Sequence, residues 1–289
     1  MLTIENELIR VGFTAQGAEI IKIYNKETGL DYLWNADPAY WPKFSPVLFP
    51  VVGGLKGGVY AFEGNSYALN RHGFARENMF EVESHTNDCI TFVLHASTKT
   101  LQLYPFLFKF SVIHTISNNQ LSVTYKVENK DSKVLYFSVG AHPAFKVPLV
   151  EGDDYSNYYL SFNEIENAGI YPIASDGLIQ HTSVGLLNDT DVLPLTKPLF
   201  YKDALIFKEL KSTAISILNH KNKHGLTLSF KGFPYMGIWA FKDADFVCIE
   251  PWCGLGDTET STGLLQDKEG ILTLNSGNIF EATWDVVCF

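Results

Sequence analysis

Short runs of alternating apolar and polar residues, separated by turn-forming residues, recur along most of the chain. They include residues 18–24, 108–116 and 120–127, and similar runs continue to residue 287. Successive side chains of a β-strand point to opposite faces, so this period of two predicts strands with one buried face. Helical periodicity is not evident in any long segment. The chain is therefore predicted to be all-β and to fold as a large antiparallel β-sandwich.

Two hairpins are predicted from turn residues between neighbouring runs. Gly64 and Asn65, between the runs at residues 59–62 and 67–69, tolerate the positive φ angles of tight turns. Residues 117–119 separate the longer runs that flank them in the same way. Each pair of runs is expected to form antiparallel neighbours in a sheet.

One apolar run is followed directly by an acidic residue. Residues 246–249 have the composition of a strand buried on both faces, and Glu250 comes next. An ionised carboxylate removed from water must be paired or must shift its pKa, unless Glu250 simply caps the strand at a solvated loop. Pro251 is predicted to end the strand because it has no backbone N–H, and Trp252 offers a flat face that could stack on a ligand ring. These consecutive residues predict a binding or catalytic site.

A histidine follows another apolar run. His142 comes after residues 135–139 and is preceded by the small residues Gly140 and Ala141. An isolated histidine at a strand end is often structural. Here the small residues leave room for a ligand, and Pro143 fixes the backbone that follows. We therefore interpret His142 as a candidate catalytic residue.

Further polar residues interrupt the apolar pattern at two places. His72 and Arg76, in the segment 71–76, provide an imidazole and a forked donor that could hold several sugar hydroxyls or one phosphate. Arg71 alone is interpreted as a loop cation paired with a nearby glutamate. Asp203, which opens the apolar run at 204–207, is by itself typical of a structural strand start.

Size, charge and cysteine content narrow the class of protein. The chain has 289 residues, of which 46% are hydrophobic, and no linker-like segment, so one soluble domain spanning residues 1–289 is expected. The net charge is −10 without a lysine or arginine cluster, which argues against nucleic acid and anionic membranes as partners. Four cysteines lack the spacing of a metal site and are expected to be reduced. The beginning of the sequence lacks the features of a secretory signal, so a cytoplasmic location is predicted. The oligomeric state is left open.

Four segments in series resemble a known family. The order and residue identities of these segments are similar to those of the aldose 1-epimerase (mutarotase) family, in its LacX-like branch. The four segments are residues 71–76, 137–145, 203–207 and 248–252, and additional matches are residues 17–19, 31–35 and 49–53. The resemblance covers nearly the whole chain. It implies a galactose-mutarotase-like β-supersandwich and an isomerase that interconverts the α and β anomers of a hexose or hexose derivative.

The same resemblance implies roles for individual residues. Glu250 would be the general base that removes the proton of the anomeric hydroxyl, and His142 the general acid that protonates the ring oxygen. His72 and Asp203 would hold sugar hydroxyls. Opening the ring needs one proton removed and one delivered, so the reaction requires no redox, metal or covalent cofactor.

The sequence departs from the family pattern at one position. Gly54 stands where the family usually has an arginine, which leaves Lys56 as the expected nearest cation. Lys56, Arg71 and Arg76 together would suit a sugar phosphate, so the substrate is expected to be either a neutral aldose or a phosphorylated one.

Three other functions fit parts of the pattern. A non-catalytic carbohydrate-binding sandwich would use Trp252, Trp239 and Tyr235 as stacking platforms but would not need an acid and a base. A metal site could be built from His72, His142 and Glu250, a ligand set that suits zinc. A glycoside hydrolase or lyase would require a second acid, such as Asp203, facing Glu250 across the scissile bond.

Overall fold

The structure, a computed structural model, describes all 289 residues and is built almost entirely from β-strands. The strands are β1 (Leu2–Glu5), β2 (Ile9–Thr14), β3 (Glu19–Asn25), β4 (Leu30–Asp31), β5 (Val47–Leu48), β6 (Val59–Phe62), β7 (Asn65–Ala68), β8 (Glu81–His85), β9 (Cys89–His95), β10 (Phe108–Ser117), β11 (Gln120–Asn129), β12 (Leu135–Phe137), β13 (Val139–Ala141), β14 (Ala144–Lys146), β15 (Tyr158–Ile170), β16 (Val184–Pro194), β17 (Leu205–Phe207), β18 (Ala214–Asn219), β19 (Leu226–Ser229), β20 (Tyr235–Trp239), β21 (Phe246–Cys253), β22 (Leu272–Leu274) and β23 (Ile279–Cys288).

Helical structure is confined to short segments. The one α-helix is α1 (Thr98–Leu103), and the 3₁₀ turns are Lys56–Gly58, Ala75–Glu77, Tyr155–Asn157, Lys197–Phe200 and Leu265–Asp267. None of these helices is long and apolar enough to cross a membrane. The prediction of an all-β protein is confirmed.

Two large sheets organise the molecule. The first has nine strands in the order β16-β15-β18-β19-β23-β11-β10-β9-β8, and the second has the order β17-β20-β21-β13-β5, with β14 also paired to β21. Smaller sheets are formed by β1-β2-β3-β4, by β12-β22 and by β6-β7. Every pairing between these strands is antiparallel, as predicted.

Both predicted hairpins are present. Strands β10 and β11 pair through a two-residue loop, in which Asn118 has a φ of +51°. The β6–β7 loop lies one residue earlier than predicted, because Glu63 (φ +48°) and Gly64 (φ +78°) form it and Asn65 already belongs to β7. Two consecutive residues with positive φ, as in the β6–β7 loop, are typical of a type I′ turn, which matches the strand twist.

A continuous hydrophobic core connects these sheets. It contains 72 buried residues drawn from the whole length of the chain, from Ile4 in β1 to Cys288 in β23. The core therefore includes residues near both ends of the chain, and a single domain over residues 1–289 remains a prediction.

Strand β21 differs from its predicted extent in a way that matters for the site. All eight of its residues are buried, and it continues through Glu250 and Pro251, so the prediction that Pro251 ends the strand is wrong. On one side, β20 pairs along β21 without a break. On the other side, β13 stops pairing with β21 at Gly140 and β14 resumes at Ala144. Pro251 is tolerated because its missing N–H donor falls within this gap in the ladder.

Candidate active site

The gap between β13 and β14 places His142 directly opposite Glu250. Gly140 pairs with Trp252 and Ala144 pairs with Cys248, so the two pairings keep one register, in which position 142 faces position 250. The Nε2 atom of His142 lies 3.3 Å from the Oε2 atom of Glu250. The sheet therefore brings together two side chains that are 108 residues apart in sequence.

Glycines on both neighbouring strands make room on this face of the sheet. Gly237 of β20 pairs with Glu250, and Gly140 pairs with Trp252. A Cβ atom at Gly140 would lie 2.7 Å from the Trp252 indole, and one at Gly237 would lie 2.5 Å from it. The indole thus lies across both glycines, and neither position can hold a side chain without moving Trp252.

This packing changes the role expected for Trp252. Only 4% of the residue is exposed, and it packs in a small cluster with Leu48 and Leu255. Trp252 therefore forms a buried wall of the site instead of a freely exposed stacking platform. Trp41 and Trp239 have the more exposed rings, and Trp41 stacks on His142 with a centroid distance of 4.9 Å and an interplanar angle of 24°.

Burial favours the neutral forms of both members of the pair. Desolvation raises the pKa of Glu250 well above its usual range, and the negative charge of Asp203 raises it further, while the Trp252 indole and Arg71 oppose the shift. Desolvation lowers the pKa of His142 to about 3, with a further lowering by the positive charge of Arg76. In these neutral forms the carboxyl group can donate one proton and the imidazole can accept one.

Several buried polar atoms at this site have no hydrogen-bond partner in the protein. They are Nδ1 of His142, Oε2 of Glu250, Nε1 of Trp252 and Nε of Arg76. Buried polar groups in folded proteins are usually paired, and each exception needs an explanation. Four such atoms in the walls of one pocket indicate a site that is completed by a polar ligand.

His72 is held in a defined tautomer. Its backbone N–H donates to the Gly53 carbonyl oxygen at 2.9 Å, and its Nδ1 accepts from the Gly53 N–H at 3.1 Å. Desolvation lowers the pKa of His72 well below its usual range. His142, when it is protonated, and the charges of Arg76 and Arg71 act in the same direction. The ring is therefore neutral with its proton on Nε2, which makes that nitrogen a hydrogen-bond donor.

Asp203 lies at the pocket in an unusual backbone conformation. Its φ is +125°, in a region that favours glycine, and its carboxylate accepts a hydrogen bond of 2.7 Å from the N–H of Ala204. Backbone strain in non-glycine residues tends to be retained at functional sites. The conformation supports a functional role for Asp203 that its position in the sequence did not suggest.

We expect the Asp203→Gly substitution to stabilise the fold while weakening sugar binding. Glycine removes strain of about 1–3 kcal/mol, offset by about 0.5–1 kcal/mol for the added freedom of the unfolded chain, so the free energy of unfolding should rise by about 1 kcal/mol. Urea unfolding and sugar titration measure the two effects. Asp203→Asn, which keeps the strain and removes the charge, should weaken binding without stabilising the protein. If the Asp203→Gly protein were less stable than the wild type, the backbone at Asp203 would not be strained.

His142, Glu250 and the polar residues around them line a single cavity of about 550 Å³. It contains six of the seven predicted site residues, namely Glu250, His142, His72, Asp203, Arg76 and Trp252. Lys56 is not among the lining residues, because its Nζ donates to the Glu259 carbonyl oxygen at 2.6 Å and its backbone N–H donates to Asp257. The structure therefore does not support the assignment of Lys56 as a substrate-binding residue.

Arg71 is the cation that lies next to Gly54. A Cβ atom at Gly54 would lie 3.6 Å from the Arg71 Nη2 atom, which also donates to the Gly177 carbonyl oxygen at 3.3 Å. The interpretation of Arg71 as a loop cation paired with a glutamate is wrong, since no ion pair of Arg71 with an acidic side chain is present. Lys56 was predicted because it is only two positions from Gly54 in the sequence. The sequence does not reveal that Arg71 and Gly177 lie next to Gly54 in the folded protein.

The potential metal ligands differ from those predicted. His142, Cys248 and Glu250 are all buried and place their ligand atoms within 4.8 Å of one another, whereas the Nδ1 atom of His72 is used by Gly53. Burial raises the pKa of the Cys248 thiol well above its usual range. A metal at this position would have to displace protons from both the thiol and the carboxyl group.

Sequence similarity to known proteins extends over almost the whole chain. The family model described as aldose 1-epimerase matches residues 1–263. The chain is 30% identical to the chromosomal protein LacX of Lactococcus lactis subsp. lactis, over 99% of this chain and 98% of that protein.

Solved structures have the same fold. A galactose mutarotase related enzyme from Lactobacillus acidophilus has a TM-score of 0.95 and 34% identity, over 100% of this chain and 97% of that chain. A galactose mutarotase-like protein from Lactobacillus casei has a TM-score of 0.93 and 29% identity, over 100% of both chains. The antiparallel sheets are thus those of a galactose mutarotase-like β-supersandwich, as the sequence resemblance implied. The chain belongs to the aldose 1-epimerase family.

Proposed function

We propose that the protein is an aldose 1-epimerase that interconverts the α and β anomers of a hexose or hexose derivative. The observation that carries the proposal is the buried pair of His142 and Glu250, 3.3 Å apart in a pocket whose walls present unpartnered polar atoms. Opening a pyranose ring requires removal of a proton from the anomeric hydroxyl and delivery of one to the ring oxygen. A pair that carries one proton has one acceptor and one donor for these two transfers.

In the sugar complex the proton first passes from the Glu250 carboxyl group to His142, because the general base must be ionised and the general acid protonated. The Glu250 carboxylate then takes the proton of the anomeric hydroxyl, and the imidazolium protonates the ring oxygen. Bond cleavage gives the open-chain aldehyde, rotation about the adjacent C–C bond exposes its other face, and the same transfers in reverse close the ring as the other anomer. The pair regains its single proton, so no external acid, base or cofactor is consumed.

The remaining polar residues are suited to holding the sugar hydroxyls. His72 offers the N–H of its Nε2, Asp203 offers carboxylate oxygens, and Arg76 has a buried Nε without a partner. One guanidinium nitrogen of Arg76 already donates to the Arg71 carbonyl oxygen at 2.8 Å, which fixes the orientation of the group. Fixed donors and acceptors of this kind orient a sugar at low entropic cost.

The pH dependence of kcat/KM should be a broad plateau that falls at both ends. As the pH decreases toward about 3, His142 gains a proton while Glu250 keeps its own, so the pair loses its acceptor. As the pH rises through the raised pKa of Glu250, the pair loses its only proton and therefore its donor. Mutarotation rates measured across the stable pH range check this. A profile that follows one group with a pKa near 6.5 would contradict it.

Arg71, not Lys56, is expected to be the cation that contacts the substrate. Arg71→Ala should raise KM by about 10- to 100-fold, the usual effect of losing hydrogen bonds from a charged group, while kcat changes less. Lys56→Ala is the matched control and should leave both constants within a factor of about two, since its ammonium group points to Glu259. Steady-state mutarotation kinetics measure both variants. The reverse ranking of the two variants would contradict the assignment.

Transferring the arginine from position 71 to position 54 is a second test of whether this cation contacts the substrate. The Cβ position at Gly54 is 3.6 Å or more from its neighbours, so a side chain fits there once Arg71 is shortened. Gly54→Arg in the Arg71→Ala background should recover part of the lost affinity. If the folded double variant recovered no affinity, a cation at this place in the pocket would not be what binds the substrate.

The assay that tests the proposed function is polarimetry with freshly dissolved α-anomers of several aldoses and of their 6-phosphates. Acceleration of at least one of them toward anomeric equilibrium is expected. A protein that binds sugars but accelerates none of them would be a carbohydrate-binding protein. Activity abolished by chelation would favour a metal site at His142, Cys248 and Glu250, and cleavage of a glycosidic bond would favour a hydrolase that uses Asp203 and Glu250. A cytoplasmic location remains our prediction.

A further inference from the structure

The mouth of the pocket exposes an unusual concentration of aromatic side chains. Four large aromatic residues of the chain are strongly exposed, and one of them, Phe289, is the C-terminal residue. The other three are Tyr40 (39% exposed), Tyr201 (48%) and Phe241 (40%), which we call the aromatic rim. Tyr201 and Phe241 line the cavity, and the Tyr40 ring contacts the Phe241 ring edge-on with a centroid distance of 6.3 Å. Exposed apolar groups gathered at one place mark an interaction site.

An aromatic wall connects this rim with the catalytic pair. The His142 ring is 5.7 Å from the Trp239 ring, and the Trp239 ring is 6.4 Å from the Phe241 ring. Trp239 is on β20, on the same face as Gly237 and therefore as Glu250, and Phe241 continues this alternation just past the end of the strand. One ligand can therefore contact both ends of the wall.

The rim lies beyond the aromatic rings next to the catalytic pair. Trp41 and Trp239 are adjacent to the His142 ring, whereas Phe241 lies on the far side of Trp239. We infer that a sugar with its anomeric carbon at Glu250 and His142 lies against Trp41 and Trp239 and leaves the rim free for a second unit. The rim offers flat apolar faces, and Lys202 and Lys242, which also line the cavity, add ammonium donors. Flat faces beside hydrogen-bond donors are what a second sugar ring requires, because a sugar has apolar C–H faces and hydroxyls at its edges.

We propose that the aromatic rim is a second sugar subsite, and that the preferred ligand is a neutral reducing disaccharide. The reducing unit lies at the catalytic pair with its free anomeric hydroxyl, and the second unit stacks on Tyr201 and Phe241. This inference rests on the proposed function for the orientation of the ligand. The rim itself contributes affinity whether or not the reaction occurs.

The experiment compares maltose, cellobiose and lactose with glucose and galactose. In wild-type protein, kcat/KM for mutarotation of at least one disaccharide should exceed that of its monosaccharide by about tenfold, about 1.4 kcal/mol of binding. Phe241→Ala and Tyr201→Ala should each reduce this ratio, and the double variant should abolish it. Phe289→Ala, which removes the exposed aromatic outside the rim, is the matched control and should leave the ratio unchanged. Equal use of mono- and disaccharides, or a ratio unaffected by the rim variants, would overturn the proposal.

Calorimetric titration with the Glu250→Gln protein separates this inference from the proposed function. Tighter binding of a disaccharide, lost on addition of Phe241→Ala, would support the subsite even if wild-type protein epimerised no aldose. Catalysis without any preference for disaccharides would leave the proposed function intact and overturn the subsite. Tightest binding of a 6-phosphate, insensitive to Phe241→Ala, would also overturn it and would assign the lysines to a phosphate instead.

Discussion

Replacing Glu250 with glutamine is expected to reduce kcat/KM for mutarotation by about 10³-fold or more, within the range for loss of a general acid or base. The amide has the size of the carboxyl group but can neither accept nor release the proton that the reaction moves. Because burial raises the pKa of Glu250 and so favours its neutral carboxyl form, the neutral glutamine resembles that form of the native group. Folding stability and sugar affinity should therefore change little, which makes the loss of rate interpretable.

A matched control for this substitution exists in the same molecule. Glu166 is the other glutamate that is 1% exposed, and it lies outside the pocket, where its carboxylate accepts a hydrogen bond of 2.7 Å from the backbone N–H of Ser212. Glu166→Gln should lower stability without changing kcat/KM of the folded protein. If Glu250→Gln retained more than about a tenth of wild-type activity, Glu250 would not be the proton acceptor.

Replacing His142 with alanine is expected to cause a loss of about 10²- to 10⁴-fold in kcat. Without the imidazole, the ring oxygen has no proton donor, and Glu250 loses the neighbour that lies 3.3 Å from it. The substitution also leaves a space beside Trp41, on which the native ring stacks. Added imidazole should occupy this space and restore part of the activity in a saturable manner. Rates are measured by polarimetry with and without imidazole.

The imidazole response distinguishes a catalytic role from a structural one. A protein damaged by the substitution would lose activity with no recovery, and the sugar affinity of His142→Ala would fall together with the rate. Recovery of rate by imidazole, with unchanged affinity, is the result that only proton transfer explains. Full activity of His142→Ala without imidazole would show that water delivers the proton.

The parts of the fold that could be predicted from sequence are those with a local cause. Alternation of apolar and polar residues identified the hairpins β6–β7 and β10–β11, since the pattern depends only on which side chains face the core. The apolar run before Glu250 correctly indicated a buried strand. Local rules failed at Pro251, because its tolerance depends on the gap between β13 and β14, which belong to another part of the chain.

The site residues that could be predicted are those whose residue type stands out from its neighbours in the sequence. The residues that were missed reach the site only through contacts between distant parts of the chain. A carboxylate after an apolar run and a histidine between small residues are visible in the sequence, and the structure brings Glu250 and His142 together. Trp41 was missed because it lies in a loop between β4 and β5, with no local signal that its ring stacks on His142. Arg71 was undervalued for the same reason, since its position depends on contacts with the distant Gly54 and Gly177.

Exchange between the two anomers at equilibrium is the most direct measurement of the proposed activity. In ¹H NMR exchange spectra of an accepted aldose, wild-type protein should produce cross-peaks between the α and β anomeric protons that increase with enzyme concentration. The Glu250→Gln protein, at saturating sugar, should produce none above the uncatalysed rate. Equal exchange in both proteins, or bound sugar without exchange in the wild type, would contradict proton transfer by Glu250 and His142.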